Sequence, residues 1–370
     1  MKYRLFECCR LVVGYGRSCI YDLQRDKHIF IPNGITGLFN DNNVIDSLTI
    51  GLYDKFSQKN ISSFINSLIK EEYLFEIEDN ELQNFPKMDL TWAYPAHITN
   101  AILVLNNFNY KFYKNILSEL LRLNCVNIQF LIFSRFESEK ISEIQHYASN
   151  VGMKYFEYVI NASNIASEAE LLTWRRNNSS ISKIVVTNSD YNKIIQEGED
   201  TIIITKEKID NSISCGNIHP YYFCRTIECF TEAQCHNTCL NRKVCIDANG
   251  DIKNCPAMAK SYGNIKDTTL EEAINKPGFK DLWFINKDKI DVCKDCEFRY
   301  MCTDCRAFIK DPENIYSQPA KCTYNPYICL WEGQEGYVPV EECGTYSRET
   351  GFVPDKKKIK ALNKKIWGEE

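Results

Sequence analysis

The chain has 370 residues, 44% of them hydrophobic, which is enough for two or three domains that each bury a core without cysteine staples. A net charge of -5 and a pI near 5.7 exclude the broad basic face that binding nucleic-acid phosphates requires. No stretch approaches the ~20 apolar residues of a membrane span, and Glu7 and Arg10 interrupt the apolar residues of MKYRLFECCRLVV, so a cytoplasmic protein without a signal peptide is expected.

In chain order, SCIYDL and HIFIP are β-prone runs joined by the polar turn QRDK, a hairpin signal. A helical pattern follows, with Ile61, Phe64, Ile65, Leu68 and Ile69 along one face, and together these define a first α+β segment over residues 1–85. From Ala96 to about Lys206 the runs AILVL, VNIQFLIF, YFEYVI, KIVVT and TIIIT are predicted strands. Between them lie two helical stripes. One comprises Tyr113, Ile116, Leu117, Leu120 and Leu121; the other comprises Ile141, Ile144, Tyr147, Ala148 and Val151 and is closed by Gly152. Strand and helix alternating at this spacing predict βαβ units and a mainly parallel sheet over residues 96–210. Five strands fall short of the eight that close a full barrel, so an open or partial (β/α) barrel is expected. Residues 215–331 read as a small metal-organised domain, and residues 332–370 as a tail whose basic run DKKKIKALNKK is a solvated helix face.

Thirteen of the eighteen cysteines fall between Cys215 and Cys329, and in a reducing compartment such clustering points to metal in preference to a disulfide framework. Cys239, Gly250 and Cys255 form C-x10-G-x4-C; Cys293, Cys296, Cys302 and Cys305 form C-x2-C-x5-C-x2-C; Cys322 follows. A glycine before Cys255 suits a tight hairpin that turns its thiolate inward. Zinc on two C-x2-C pairs is one reading. Zinc ribbons, however, usually separate their pairs by ~15 to 20 residues, whereas five lie between Cys296 and Cys302. In two-cluster ferredoxins the fourth cysteine of a run ligates the other cluster. By that logic Cys293, Cys296, Cys302 and Cys322 hold one cluster, and Cys305 joins Cys239 and Cys255 in a second.

The stretch from CLNRKVCIDANGDIKNCP through GNIKDTTLEEA and CKDCEFRYMCTDC to Cys322 resembles the SPASM domain, the iron-sulfur extension of peptide-modifying radical SAM enzymes. Over most of its length, including GYGRSCIYDLQRDKHIFIPN, the chain resembles the SPASM-domain peptide maturases of grasp-with-spasm systems, which accompany an ATP-grasp ligase and a small precursor peptide. The resemblance implies two 4Fe-4S clusters, a PqqD-like leader-recognition segment in residues 1–85, and a degenerate radical SAM-like core in residues 96–210. It also implies a ribosomally synthesised precursor peptide and an ATP-grasp ligase as partners. HIFIP and the helix around Phe64 to Ile69 are then the places where a leader would add to a sheet edge.

The sequence departs from the family in separating Cys302 and Cys305 by two residues where three are usual. The fourth ligand of the second cluster is open among Cys229, Cys235 and His236; Cys235 is favoured because C-x3-C with Cys239 gives two thiolates a common direction. The radical SAM triplet C-x3-C-x2-C is absent from the first two hundred residues, FLIFSRFE stands where a glycine-rich SAM-binding stretch is expected, and the chain contains no Gly-Gly. A SAM site is therefore not expected. No Walker A loop, H-E-x-x-H or G-x-G-x-x-G is present. Cys125 and Cys245 read as packing residues, Cys8, Cys9 and Cys19 as minor redox or ligand candidates, and Cys215, Cys224, Cys329 and Cys343 are unassigned. Three functions stay open: an iron-sulfur protein assisting peptide maturation, a non-enzymatic leader-binding scaffold, and a zinc-stabilised binding protein.

Overall fold

The computed structural model describes residues 1–197 and 200–368. The chain divides into two compact units, one made of residues 1–92, 217–238 and 285–370, the other of residues 93–216 and 239–284.

The first unit opens with six strands: β1 (Lys2–Leu5), β2 (Cys9–Val12), β3 (Ser18–Asp22), β4 (Lys27–Ile31), β5 (Val44–Asp46) and β6 (Leu74–Ile77). They form two antiparallel sheets, β5-β1-β6 and β2-β3-β4. The hairpin read from SCIYDL and HIFIP is the β3-β4 pair, with Ser18 opposite Ile31 and Asp22 opposite Lys27. Asp54 caps the helix Lys55–Lys70 by accepting from the Phe56 and Ser57 amides, and the helix buries Ile61, Ile65 and Leu68 as its stripe predicts.

Strand β3 is buried at all five positions because both of its faces are covered. One face, through Cys9, Ile20 and Ile31, joins the core beneath the helix. The other, through Val12, Cys19 and Tyr21, joins a core containing Phe223, Phe230, Phe298, Met301 and Tyr324, against which Cys296, Cys302 and Cys322 pack. The N-terminal hairpin thus shares a core with the cysteine run. A third core holds Val292, Tyr327, Ile328, Val340 and Ile359. Ile359 belongs to the helix Lys356–Trp367 that the basic run forms, with its lysines facing away from that core.

The second unit is built on an eight-stranded sheet in the order β11-β12-β10-β9-β8-β7-β13-β14. Its strands are β7 (Asn100–Val104), β8 (Asn127–Ile132), β9 (Tyr155–Asn161), β10 (Ile181–Thr187), β11 (Lys193–Glu197), β12 (Asp200–Ile204), β13 (Lys243–Ile246) and β14 (Ile252–Lys253). The five predicted strands are β7, β8, β9, β10 and β12, all paired in parallel, and β13 extends the parallel set beside β7. Antiparallel β11 and β14 end the sheet. Among the described residues no pairing joins these two edges, so the sheet is open and the barrel character expected from the repeat is not present.

The helices Tyr113–Arg122, Ser138–Val151 and Glu168–Arg176 are the crossovers. Gly152, left-handed at φ 108°, ends the second of them, and Met153 N donates to Ala148 O across the turn. Tyr158 donates to Gln145 and packs its ring 4.7 Å from Trp174, which places two of the helices on the buried face that also carries Leu103, Phe130 and Phe156. The opposite face is polar, with Gln129 Nε2 donating to Glu157 Oε2 at 2.8 Å. No described helix is long and apolar enough to cross a membrane.

Candidate metal centre

In the first unit, residues 290–302 form successive tight turns. Lys294 N donates to Ile290 O, Asp295 N to Val292 O, Cys296 N to Cys293 O, and Cys302 N to Phe298 O, all at 2.9–3.1 Å. Val292 stands just before Cys293 with φ 67°, a left-handed conformation costly for a β-branched residue. Its side chain is held in the third core, and the turn bearing Cys293 starts from there. Phe298 N donates to Cys296 Sγ at 3.4 Å. Cys322 ends a ladder in which Lys310 N donates to Gln318 O and Ala320 N to Phe308 O.

Cys296, Cys302 and Cys322 pack against one core, and Cys293 opens the turn that carries Cys296. Burial pushes the thiols of Cys293, Cys302 and Cys322 up to about 11, and the Cys296 thiol well above its ordinary value. Neighbouring sulfurs push the same way: Cys302 on Cys293, Cys322 on Cys302, Cys293 on Cys322, and both Cys293 and Cys302 on Cys296. Lys287 opposes the rise at Cys293, Cys302 and Cys322.

Two charged networks of the first unit are built from residues close to these cysteines in the chain, and neither is visible as a spacing in the sequence. Lys287, Asp304 and Arg306 are 5%, 1% and 6% exposed. Arg306 Nη2 contacts Asp304 Oδ1 at 2.7 Å, Asn237 Nδ2 donates to Asp304 Oδ2 at 2.5 Å, and Lys287 Nζ lies 3.6 Å from Asp304 Oδ1. Two cations and one carboxylate leave a buried excess of one positive charge beside the thiols. In the second network Glu297 is fully buried, and burial holds its carboxyl above the usual range although Arg17 pulls it down. Arg17 Nε and the Tyr324 hydroxyl donate to Glu297 Oε1 at 2.7 and 2.5 Å.

The other predicted ligands are distributed over both units. Cys305 is buried in the first unit, and Cys235 is the exposed last residue of the helix Ile227–Cys235 there. Cys239 and Cys255 belong to the second unit. Gly250, at φ 83°, lies in the turn joining β13 to β14, as the C-x10-G-x4-C spacing requires. Asn254 Nδ2 donates to the carbonyls of Leu240 and Lys243 at 3.0 and 2.7 Å, fastening the Cys255 turn to the Cys239 segment. Lys243 Nζ donates to Cys239 Sγ at 3.7 Å. Burial pushes the Cys255 thiol up to about 12, and Cys239 and Cys215 add to the rise. Cys215 belongs to no spacing pattern; Ser212 Oγ, at the start of the turn before it, donates to Pro256 O at 3.2 Å.

Of the alternatives for a fourth ligand, Cys229 is bonded to Cys224 in a disulfide, which removes it as a thiolate. His236 packs its ring 5.3 Å from Trp92. Cys125 and Cys245 are fully buried in the second unit, matching the packing role read for them. Cys8, Cys9 and Asp22 bring their ligand atoms within 4.8 Å of one another. Asp22, however, is engaged by the Arg25 guanidinium and by the Gln24 and Arg25 amides, so its carboxylate closes the β3-β4 turn. The second unit also has a cleft of about 310 Å³, lined by Leu105, Asn106 and Ser134 beyond the carboxyl ends of β7 and β8 together with Asn211, Ser212 and Pro256. Ligands of open α/β sheets bind at such strand ends.

Four thiols in an apolar setting with a buried excess of positive charge fit an anionic iron-sulfur group. A tetrahedral zinc thiolate site needs sulfurs about 3.8 Å apart, from Zn–S of about 2.3 Å. Among the described residues, Cys8, Cys9 and Asp22 form the one group of three such ligand atoms within 4.8 Å. No curated protein matches the chain. Residues 235–297 match the SPASM family model, described as an iron-sulfur cluster-binding domain, a span that takes in Cys235, Cys239, Cys255, Cys293 and Cys296. The chain therefore contains a SPASM iron-sulfur cluster-binding domain at residues 235–297.

Proposed function

We propose that the chain is a two-cluster iron-sulfur protein that assists maturation of a ribosomally synthesised peptide alongside an ATP-grasp ligase. The observation that carries the cluster reading is the packing of Cys296, Cys302 and Cys322 against one core, with Cys293 on the same tight turn as Cys296. These four hold the first 4Fe-4S cluster; the second cluster rests on cysteine spacing in the sequence alone. Four thiolates saturate each cluster, which then supplies electron transfer or a rigid platform. The protein's own residues position these sulfurs by backbone turns, with Phe298 N donating to Cys296 Sγ.

A role without SAM cleavage is favoured by the strand-helix core of the second unit. Residues 93–214 carry a single cysteine, Cys125, whose thiol is buried and donates to Asn127 O at 3.3 Å. The peptide-binding role is supported by the family resemblance and by β4, an edge strand that among the described residues pairs with β3 alone. Its outer side suits addition of an extended leader.

Anaerobic purification with iron, sulfide and zinc analysis tests the cluster reading: about eight irons with matching sulfide are expected, and stoichiometric zinc without iron refutes it. Mass spectrometry of the precursor co-produced with the ligase, with and without this protein, tests the maturation role. A mass change that requires this protein makes it a maturase; an unchanged precursor that still co-purifies with it makes it a leader-binding scaffold.

A further inference from the structure

Lys287 is a buried ammonium whose Nζ has no hydrogen-bond acceptor among the described residues. The Asp304 oxygen at 3.6 Å forms an ion pair with it but lies beyond hydrogen-bond length. Asp304 is already occupied: Arg306 contacts one of its oxygens at 2.7 Å and Asn237 the other at 2.5 Å. Arg306 Nη1 donates to the carbonyls of Ile315 and Ser317, which makes it a brace for that loop. Lys287 braces nothing comparable. Burying an ammonium without an acceptor is costly, and thiols flank its surroundings: Asp304 stands between Cys302 and Cys305 in the chain, and the turn Lys287–Lys289 packs on the turn Cys293–Asp295. In the second unit a lysine does reach a thiol: Lys243 Nζ donates to Cys239 Sγ at 3.7 Å.

We propose that Lys287 is a positioning residue that donates to sulfur of the cluster held by Cys293, Cys296, Cys302 and Cys322 and keeps that cluster's reduction potential high. The proposal rests on the iron-sulfur reading above. Potentials of iron-sulfur groups follow net charge, hydrogen bonds to sulfur and solvent exposure. Lys287 acts through the first two while burial fixes the third. On one-electron reduction by dithionite, dithionite is oxidised, Lys287 keeps its proton, and its charge offsets the added electron. Asp304 opposes this effect, because its carboxylate draws on the same ammonium.

The test uses the full chain, purified and reconstituted anaerobically, with iron and sulfide counted before an EPR-monitored dithionite titration. Lys287→Met should keep its iron while one midpoint falls by at least about 59 mV, a tenfold change for a one-electron couple. Lys287→Arg, which retains charge and donors, should stay closer to wild type than Lys287→Met. Asp304→Asn should move the same midpoint upward. A fully loaded Lys287→Met protein with an unchanged midpoint overturns the proposal. Should Lys287→Met fail to load, Asp304→Asn decides: an upward shift supports the role, and no shift or a downward one overturns it. Wild-type protein holding zinc without iron overturns the iron-sulfur reading and this proposal with it, an outcome told apart by metal content before any titration.

Discussion

Replacing Arg17 with Ala tests how the N-terminal sheet supports the cysteine run. Arg17 Nε lies 2.7 Å from Glu297 Oε1, the Arg17 side chain is 28% exposed, and Glu297 is fully buried. Its guanidinium also stacks 3.5 Å from the centre of the Phe30 ring. Arg17→Ala leaves a buried carboxylate with the Tyr324 hydroxyl and the Cys296 thiol as its remaining side-chain donors. Breaking a buried ion pair from one side costs about 3 to 5 kcal/mol, and the partial exposure of Arg17 puts the expectation near the lower end, about 3 kcal/mol, with about 0.5 to 1 more from the ring contact. Adding Glu297→Gln removes the stranded charge, so the double variant should be more stable than the sum of the two single losses by about 2 kcal/mol. Urea unfolding of the full-length, anaerobically prepared proteins, followed by circular dichroism, reads both quantities. An Arg17→Ala loss under about 1 kcal/mol, or strictly additive losses, refutes the assignment of this pair as the link.

Gly250→Ala should destabilise by about 2 to 4 kcal/mol, combining a left-handed backbone with overpacking, since an added Cβ would stand 2.6 Å from Phe108 Cε1; a change within about 0.5 kcal/mol in urea unfolding contradicts this. His28 is held down to about 4 by burial and by Arg225 and Arg17. Between that value and its ordinary 6.5 the unfolded chain binds more protons, so stability present above pH 6.5 is lost as pH falls towards 4. Partial exposure reduces the loss to about 1 to 2 kcal/mol; His28→Gln should flatten that slope, and identical pH profiles for the two proteins would rule the effect out. Cys302→Ala should lose about half of the bound iron, one of two clusters, while Cys245→Ala keeps all of it; equal iron in both variants counts against the ligand set.

The strand-helix repeat was legible because its signals are local. Alternating runs mark the strands, the stripe ending at Gly152 marks a helix, and β3-β4 follows from two β-prone runs across a short turn. The parallel strand β13 was not legible as a member of the same sheet. It pairs with β7, and more than a hundred residues separate Lys243 from its partner Asn100. The openness of the sheet likewise depends on which strands end it, a matter of long-range pairing. Spacing marked the cysteines as ligands, since two intervening residues suffice to bring two thiols round a turn. The disulfide that takes Cys229 out of the ligand set depends on where the helix Ile227–Cys235 begins relative to Cys224.

The sequence by itself determined that this chain gathers thiols for metal, that it lacks the triplet for SAM cleavage, and that a parallel βα segment precedes the cysteine-rich region. Those properties reside in composition and short spacing. Tertiary structure alone decided that Val12, Cys19 and Tyr21 share a core with Cys296, Cys302 and Cys322, that Glu297 is paired with Arg17, and that Lys287 is buried beside Asp304. The physical reason is desolvation. A lysine or glutamate reads in sequence as a surface charge, and becomes part of a site only when packing removes its water and leaves it a buried partner to find.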